Sequence, residues 1–222
     1  MKRFVIGDIH GRDWALEQCF ERSGINLKED LLVCLGDVAD RGPGVKECFD
    51  LLLKVKNLVY ILGNHDQWFL KWALTGEAGY AWKIQGGKAT MQSYGDEAVP
   101  ESHIRLIRSA PYYYLLENKL FVHAGFDPEK PVEEQEDFNL IWARDLVNLA
   151  MEKIDDPDVE NITPYEEVFV GHTPTINYGF DIPVFVKGVW MMDTGAGWRG
   201  GRLTIMDIDT KEYWQSDPVV GQ

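Results

Sequence analysis

The sequence predicts an α/β fold whose site lies at the ends of its strands, and three observations carry that expectation. Short apolar runs stop abruptly at a polar residue, usually beside glycine, six times along the chain. Amphipathic stretches separate the early runs, and four of the five histidines fall directly after such runs. Unbroken apolar runs of this kind suit strands covered on both faces.

The elements follow in order. Phe4–Ile6 leads into Gly7-Asp8, and a helix is expected from Arg12 to Arg22, where Leu16, Cys19 and Phe20 share a face before Ser23-Gly24 stops it. Leu31–Leu35 leads into Gly36-Asp37. Val45, Cys48, Phe49, Leu52 and Val55 then recur at helical spacing, an amphipathic helix. Leu58–Leu62 leads into Gly63-Asn64-His65, and strand–helix alternation up to this point predicts parallel pairing. Residues 66–110 read as a mainly helical cap, ended in part by Thr75-Gly76 and broken by Gly86-Gly87. Trp68, Trp72, Tyr80 and Trp82 could form a substrate or partner surface but read more readily as the core of that cap, and His103 as a surface helix residue.

Tyr112-Tyr113-Tyr114 begins a strand pair, and Leu120–Val122 runs into His123. Residues 127–160 hold 12 acids against three bases, an acidic excursion around a helix near Leu140–Lys153. Val168–Val170 reaches Gly171-His172, Val189–Met192 reaches Asp193, and Arg202–Trp214 alternates as an antiparallel finishing pair. One domain over residues 1–222 accommodates all of this.

Thirty-six acids against 22 bases give a formal charge of −14, which disfavours a general nucleic-acid binder or a binder of anionic membranes. The composition, 45% hydrophobic and 26% charged, excludes a disordered chain. Cys19, Cys34 and Cys48 have no paired spacing and read as buried free thiols, so a cytoplasmic protein is expected. The first apolar run is too short for a secretory signal, and no stretch is long enough to span a membrane.

Chemistry concentrates at the run ends. Asp8 and His10 are two apart, so an extended backbone points both to one side. With Asp37, Asn64, His123 and His172 they make two carboxylates, one amide and three imidazoles, with no thiolate. Such a donor set suits Mn, Fe, Zn or Ni rather than a structural zinc or calcium. Six donors exceed the need of one catalytic ion and fit two divalent ions sharing a carboxylate, about 3.5–4 Å apart. Taken singly, each motif reads equally well as a strand cap or a structural histidine; the agreement of the whole series favours the site.

Gly7-Asp8-Ile9-His10-Gly11, Gly36-Asp37-Val38-Ala39-Asp40-Arg41-Gly42, Gly63-Asn64-His65-Asp66, His123-Ala124-Gly125 and Gly171-His172-Thr173-Pro174 resemble, in order, the motif series of the calcineurin-like metallophosphoesterases. More narrowly, they resemble the Ser/Thr phosphoprotein phosphatase family in its compact bacterial and phage form. The resemblance implies a four-layer αββα sandwich of two mixed β-sheets, with a dinuclear metal site at the strand ends. It puts one metal on Asp8 and His10 with Asp37 bridging, and the second on Asp37, Asn64, His123 and His172, manganese foremost. It makes His65 the general acid paired with Asp40, Arg41 a phosphate ligand, and Arg144 of Trp142-Ala143-Arg144-Asp145 the second phosphate arginine. Asp66 stands where many members carry Glu.

The implied reaction is attack of a metal-bridging hydroxide on a phosphomonoester, with a phosphorylated protein or peptide, or a small phosphoester, as partner. Retention of Asp40 favours a Ser/Thr protein phosphatase over the symmetrical dinucleoside tetraphosphate hydrolases, which commonly lack that acid. Other nucleotide or small-molecule phosphoesterases share the scaffold. A binding protein that kept the fold and lost catalysis should have eroded ligands, and all six donor positions here are competent.

Overall fold

The structure, a computed structural model, describes residues 1–220. The chain runs β1 (Arg3–Ile6), α1 (Asp13–Ser23), β2 (Leu31–Cys34), α2 (Val45–Leu52) and β3 (Asn57–Tyr60). A helical stretch follows: α3 (Asn64–Thr75), α4 (Tyr80–Trp82), a wide turn over Lys83–Gly87, α5 (Lys88–Tyr94) and α6 (Glu101–Arg108). Next come β4 (Tyr113–Leu116), β5 (Lys119–Val122), α7 (Asp137–Trp142), α8 (Asp145–Glu152) and β6 (Glu167–Val170). The chain closes with β7 (Val184–Val186), β8 (Val189–Met191), β9 (Thr204–Asp207) and β10 (Tyr213–Gln215).

Two five-stranded mixed sheets result, in the orders β10-β9-β1-β2-β3 and β4-β5-β6-β8-β7. In the first, β1, β2 and β3 are parallel; in the second, β5, β6 and β8 are parallel. The antiparallel strands lie outside them.

Side-chain alternation explains the layers. Along β1, Phe4 and Ile6 face the apolar cluster shared with α1 and α2, while Val5 faces the other way. Along β5 and β6, Leu120, Val122, Val168 and Val170 face the cluster shared with α8, while Phe121 and Phe169 turn inward. The inward-facing set, with Val33, Leu35, Ile61, Met192 and Met206, fills the space between the sheets. Phe121 and Phe169 stack there with centroids 4.8 Å apart. Because both faces of the central strands are buried, their sequences read as unbroken apolar runs. Three apolar clusters separate four layers, the αββα order expected.

The helices of residues 66–110 send Phe69, Trp82, Tyr94 and Ile107 into the cluster of α1 and α2. No described helix is long and apolar enough to cross a membrane. Cys19, Cys34 and Cys48 are free and buried.

Four local expectations need correction. Tyr80, expected in the cap core, is 80% exposed at the start of α4, whose buried residue is Trp82. The second helix ends at Leu52, not Val55, because the Lys54 and Val55 amides tighten onto Leu51 and Leu52 in the turn that feeds β3. The helix expected near Leu140–Lys153 is two helices, split where Ala143 is extended (ψ 135°), which leaves Arg144 exposed between them. His103 is fully buried, not on the surface. It pairs with the Tyr94 hydroxyl at 2.9 Å and Asp50 at 3.0 Å and stacks on Phe49, so α6 is fastened to α2 by partners far off in sequence.

Candidate active site

All six parallel strands end at one rim. From β1, β2 and β3 the chain delivers Asp8 and His10, Asp37, and Asn64 with His65. From β5, β6 and β8 it delivers His123, His172 and Asp193. Every one of these side chains is at most 6% exposed. His10, Asp37, Asp40, Arg41 and His172 all have positive φ, between 48° and 76°. Non-glycine residues occupy that region at a cost, so five of them at one rim mark a backbone held against its preference to aim side chains. Gly171 is required for a different reason: a Cβ there would lie 2.2 Å from an Asp8 carboxylate oxygen.

The geometry groups His10, Asp37 and His65, and separately Asp37, His123 and His172, as donors close enough to share an ion, with Asp37 common to both. The imidazoles are oriented from behind. His10 Nδ1–H donates to the Ala39 carbonyl at 2.9 Å and His123 Nδ1–H to the Leu35 carbonyl at 2.7 Å, which turns each Nε2 toward the site. His123 Nε2 then lies 3.0 Å from Asn64 Oδ1 and 3.4 Å from Asp37 Oδ1, a convergence that needs either a proton on that nitrogen or a cation among the three. His172 Nε2 is buried and has no partner among the described residues. Asp8 accepts the His172 backbone amide at 3.1 Å through both oxygens, which leaves their other lone pairs available. Converging lone pairs and an orphaned imidazole nitrogen are what divalent cations would satisfy, so the residues present fit such ions.

The electrostatics agree. Burial and Asp193 push the Asp8 carboxyl well above its usual range. Burial alone would lower the His123 imidazole, but Asp37 and Asp8 carry it up to about 10. In the metal-free protein the carboxylates thus hold a proton on His123, the role a cation would take over. Burial and the His123 charge drive His172 down to about 3, which favours a neutral ligand.

Beside these groups lies His65, whose Nδ1 is 2.6 Å from Asp40 Oδ2. Asp40 also receives Trp82 Nε1–H at 2.8 Å and the Thr90 hydroxyl at 2.5 Å. Burial raises the Asp40 pKa, and the hydrogen bonds from His65, Thr90 and Trp82 oppose that shift. The Arg41 guanidinium lies 3.4 Å from His65 Nε2 and stacks 4.3 Å above the Trp198 ring. Arg144 is in the lining of the same pocket. Trp68 meets the His65 ring edge-on at 5.3 Å, and Trp142 meets His172 at 6.1 Å.

All ten residues expected from sequence therefore gather at this rim. Reading by sequence missed Trp82, Thr90 and Trp198, which reach Asp40 and Arg41 from distant segments. It also passed over Asp193, which lines the pocket and ends the sixth apolar run, a signal that was present. Trp68 and Trp82 are both more than cap core, since each touches the His65–Asp40 pair. Asp66 is no ligand, but its two oxygens accept the amides of Gly63, Asp37, Val38 and Ala39.

Comparison with known proteins gives a consistent result. A family model described as calcineurin-like phosphoesterase matches residues 1–208. An asymmetrical bis(5'-nucleosyl)-tetraphosphatase from Bacillus thuringiensis is 27% identical over 99% of this chain and 97% of its own length. Serine/threonine-protein phosphatase 1 of Salmonella typhimurium is 27% identical over 92% of this chain and 91% of its own. A metallophosphoesterase from Sphaerobacter thermophilus superposes with a TM-score of 0.64 at 18% identity, covering 99% of this chain and 90% of that one.

Proposed function

The chain belongs to the calcineurin-like phosphoesterase family, and from that premise we propose that it is a metal-dependent phosphomonoesterase of the Ser/Thr protein phosphatase kind, with His65 as general acid. The observation that carries this reading is the His65–Asp40 pair at 2.6 Å, set beside Asp37 and Arg41 at the pocket. Asp8, His10 and Asp37 would hold one divalent ion and Asp37, Asn64, His123 and His172 a second, manganese foremost. Such ions supply positive charge for the phosphate and lower the pKa of a bound water toward neutrality.

The protein's own groups do the rest. Arg41 and Arg144 bind phosphate oxygens, for which a planar guanidinium fork is suited. Trp198 holds the Arg41 fork in place by stacking beneath it. His65 Nε2 faces the pocket and gives its proton to the departing oxygen, while Asp40 fixes the ring from Nδ1. Trp68 and Trp142 wall one side against water. Asp40 matters most for an alkoxide leaving group, a poor one that needs a proton, and this supports a phosphoserine or phosphothreonine substrate.

A second reading is a dinucleoside tetraphosphate, supported by the Bacillus relative and by a cationic groove that opens off the pocket. The deciding experiment is a rate panel with manganese on phosphoserine, phosphothreonine and phosphotyrosine peptides, diadenosine tetraphosphate and a bis-aryl diester. Phosphoserine and phosphothreonine peptides should turn over fastest. Full activity in excess chelator, after time for metal release, would overturn the metal-dependent reading altogether.

A further inference from the structure

Beside the pocket lies a larger groove of about 810 Å³, and the two share Arg41, Gln85, Arg144 and Trp198. Five cations line it: Arg12, Arg41, Lys83, Lys88 and Arg144. No carboxylate is in its lining, and among the described residues none of the five forms a salt bridge. That runs against composition, since the chain has 36 acids for 22 bases. Gathering like charges without counter-charges costs free energy unless a ligand supplies them.

The turn over Lys83–Gly87 builds this wall. Gly86, at φ 116°, presses on Arg41: its carbonyl accepts the Arg41 amide at 3.2 Å, and a Cβ there would lie 2.7 Å from the Arg41 nitrogen. Lys83 and Lys88 sit at the two ends of that turn, so seating it on Arg41 sets both beside the arginine. Apart from the amides of Gln85 and Gln92, every polar side chain facing the groove is a donor with no acceptor capacity. A peptide would bring backbone N–H groups that need acceptors, whereas a run of phosphates brings acceptors only. Exposed faces of Ile84 and Trp198, 62% and 46% exposed, offer apolar ground for a ring beyond the charges.

We propose that this groove is a second anion subsite, in which Lys83, Lys88 and Arg12 hold a phosphate adjacent to the one being hydrolysed, so that a substrate carrying consecutive phosphates binds more tightly than it would through the pocket alone. The proposal rests on the reading of the pocket as a phosphoester-hydrolysing site, and it names the residues on which binding of a polyphosphate there would depend.

Among the described residues neither the Lys83 nor the Lys88 side chain forms a hydrogen bond or a salt bridge, so the double variant K83A/K88A should fold normally. With manganese present, it should raise KM for inorganic tripolyphosphate about tenfold, with p-nitrophenyl phosphate kinetics unchanged. Calorimetric titration of the metal-free protein with tripolyphosphate should show the same loss of affinity. Equal KM and affinity in wild type and variant would overturn the subsite. So would a variant that loses affinity for an acidic phosphopeptide but keeps it for tripolyphosphate, because the groove would then be a peptide site. If the wild-type protein hydrolyses neither p-nitrophenyl phosphate nor tripolyphosphate, the reading of the pocket fails, while the metal-free titration still judges the groove.

Discussion

Asp40 is the most heavily held side chain at the rim, accepting from His65, Trp82 and Thr90 at once. A carboxylate so fixed can orient an imidazole, which yields a graded set of expectations. His65→Ala should lower kcat on a phosphoserine peptide by about 10²–10⁴-fold and much less on p-nitrophenyl phosphate, whose leaving group needs little protonation. Equal losses on both substrates would remove the general-acid role. Asp40→Asn and, more mildly, Thr90→Val should reproduce the pattern, since each loosens the ring rather than removing it. Residue identity at the strand ends was legible because each ligand sits within a few residues of an apolar run. The donors to Asp40 were not, since Trp82 and Thr90 lie 42 and 50 residues away and nothing in their neighbourhood marks them. Arg144 is another matter of scale: exposed and without a salt bridge among the described residues, it should raise KM for phosphate esters when changed to Ala, and normal affinity would show that another cation serves.

Among the elements, the loop after β2 decides how well Asp37 is aimed. Four consecutive or nearby amides, those of Gly63, Asp37, Val38 and Ala39, converge on the Asp66 carboxylate at the start of α3. An amide in its place would set its own N–H₂ against two of those donors. Asp66→Asn should therefore weaken manganese binding by roughly 10–100-fold, as loss of a residue behind a ligand does. Titration calorimetry checks this, and unchanged affinity would mean that the loop is held by other contacts. Strand positions were legible from sequence because burial on both faces leaves no polar residue inside the runs. The break at Ala143 was not, since the apolar pattern continues across it. What ends α7 is tertiary: Gly125 packs close to the Ala143 carbonyl, and the Ala124 amide donates to the Leu140 carbonyl. His103 was misjudged for the same reason, its partners lying on α2 and α5.

At the scale of the whole molecule, two sheets aim their parallel strands at one rim and bury Asp8, Asp37, Asp66 and Asp193 close enough to raise one another's charge cost. Without cations that arrangement is held together in part by the proton on His123, whose pKa is raised from 6.5 to about 10. A group raised on folding contributes stability that is complete below its unfolded pKa and is lost as pH rises through its folded one. The metal-free protein should therefore lose stability progressively between about pH 6.5 and 10. The metal-loaded protein should be nearly flat over that window, because the imidazole is then neutral and the cations carry the compensating charge. Loading near pH 8 should release a proton from His123, visible as a buffer-dependent heat of binding. Chelation should also lower Tm by roughly 5–10 °C for each ion present at a hundred times its Kd. Denaturant melts at several pH values, with and without chelator, check all of this. Metal-free and loaded proteins with the same pH dependence would mean that His123 does not exchange its proton for a metal, and the second ion would then have to be assigned elsewhere.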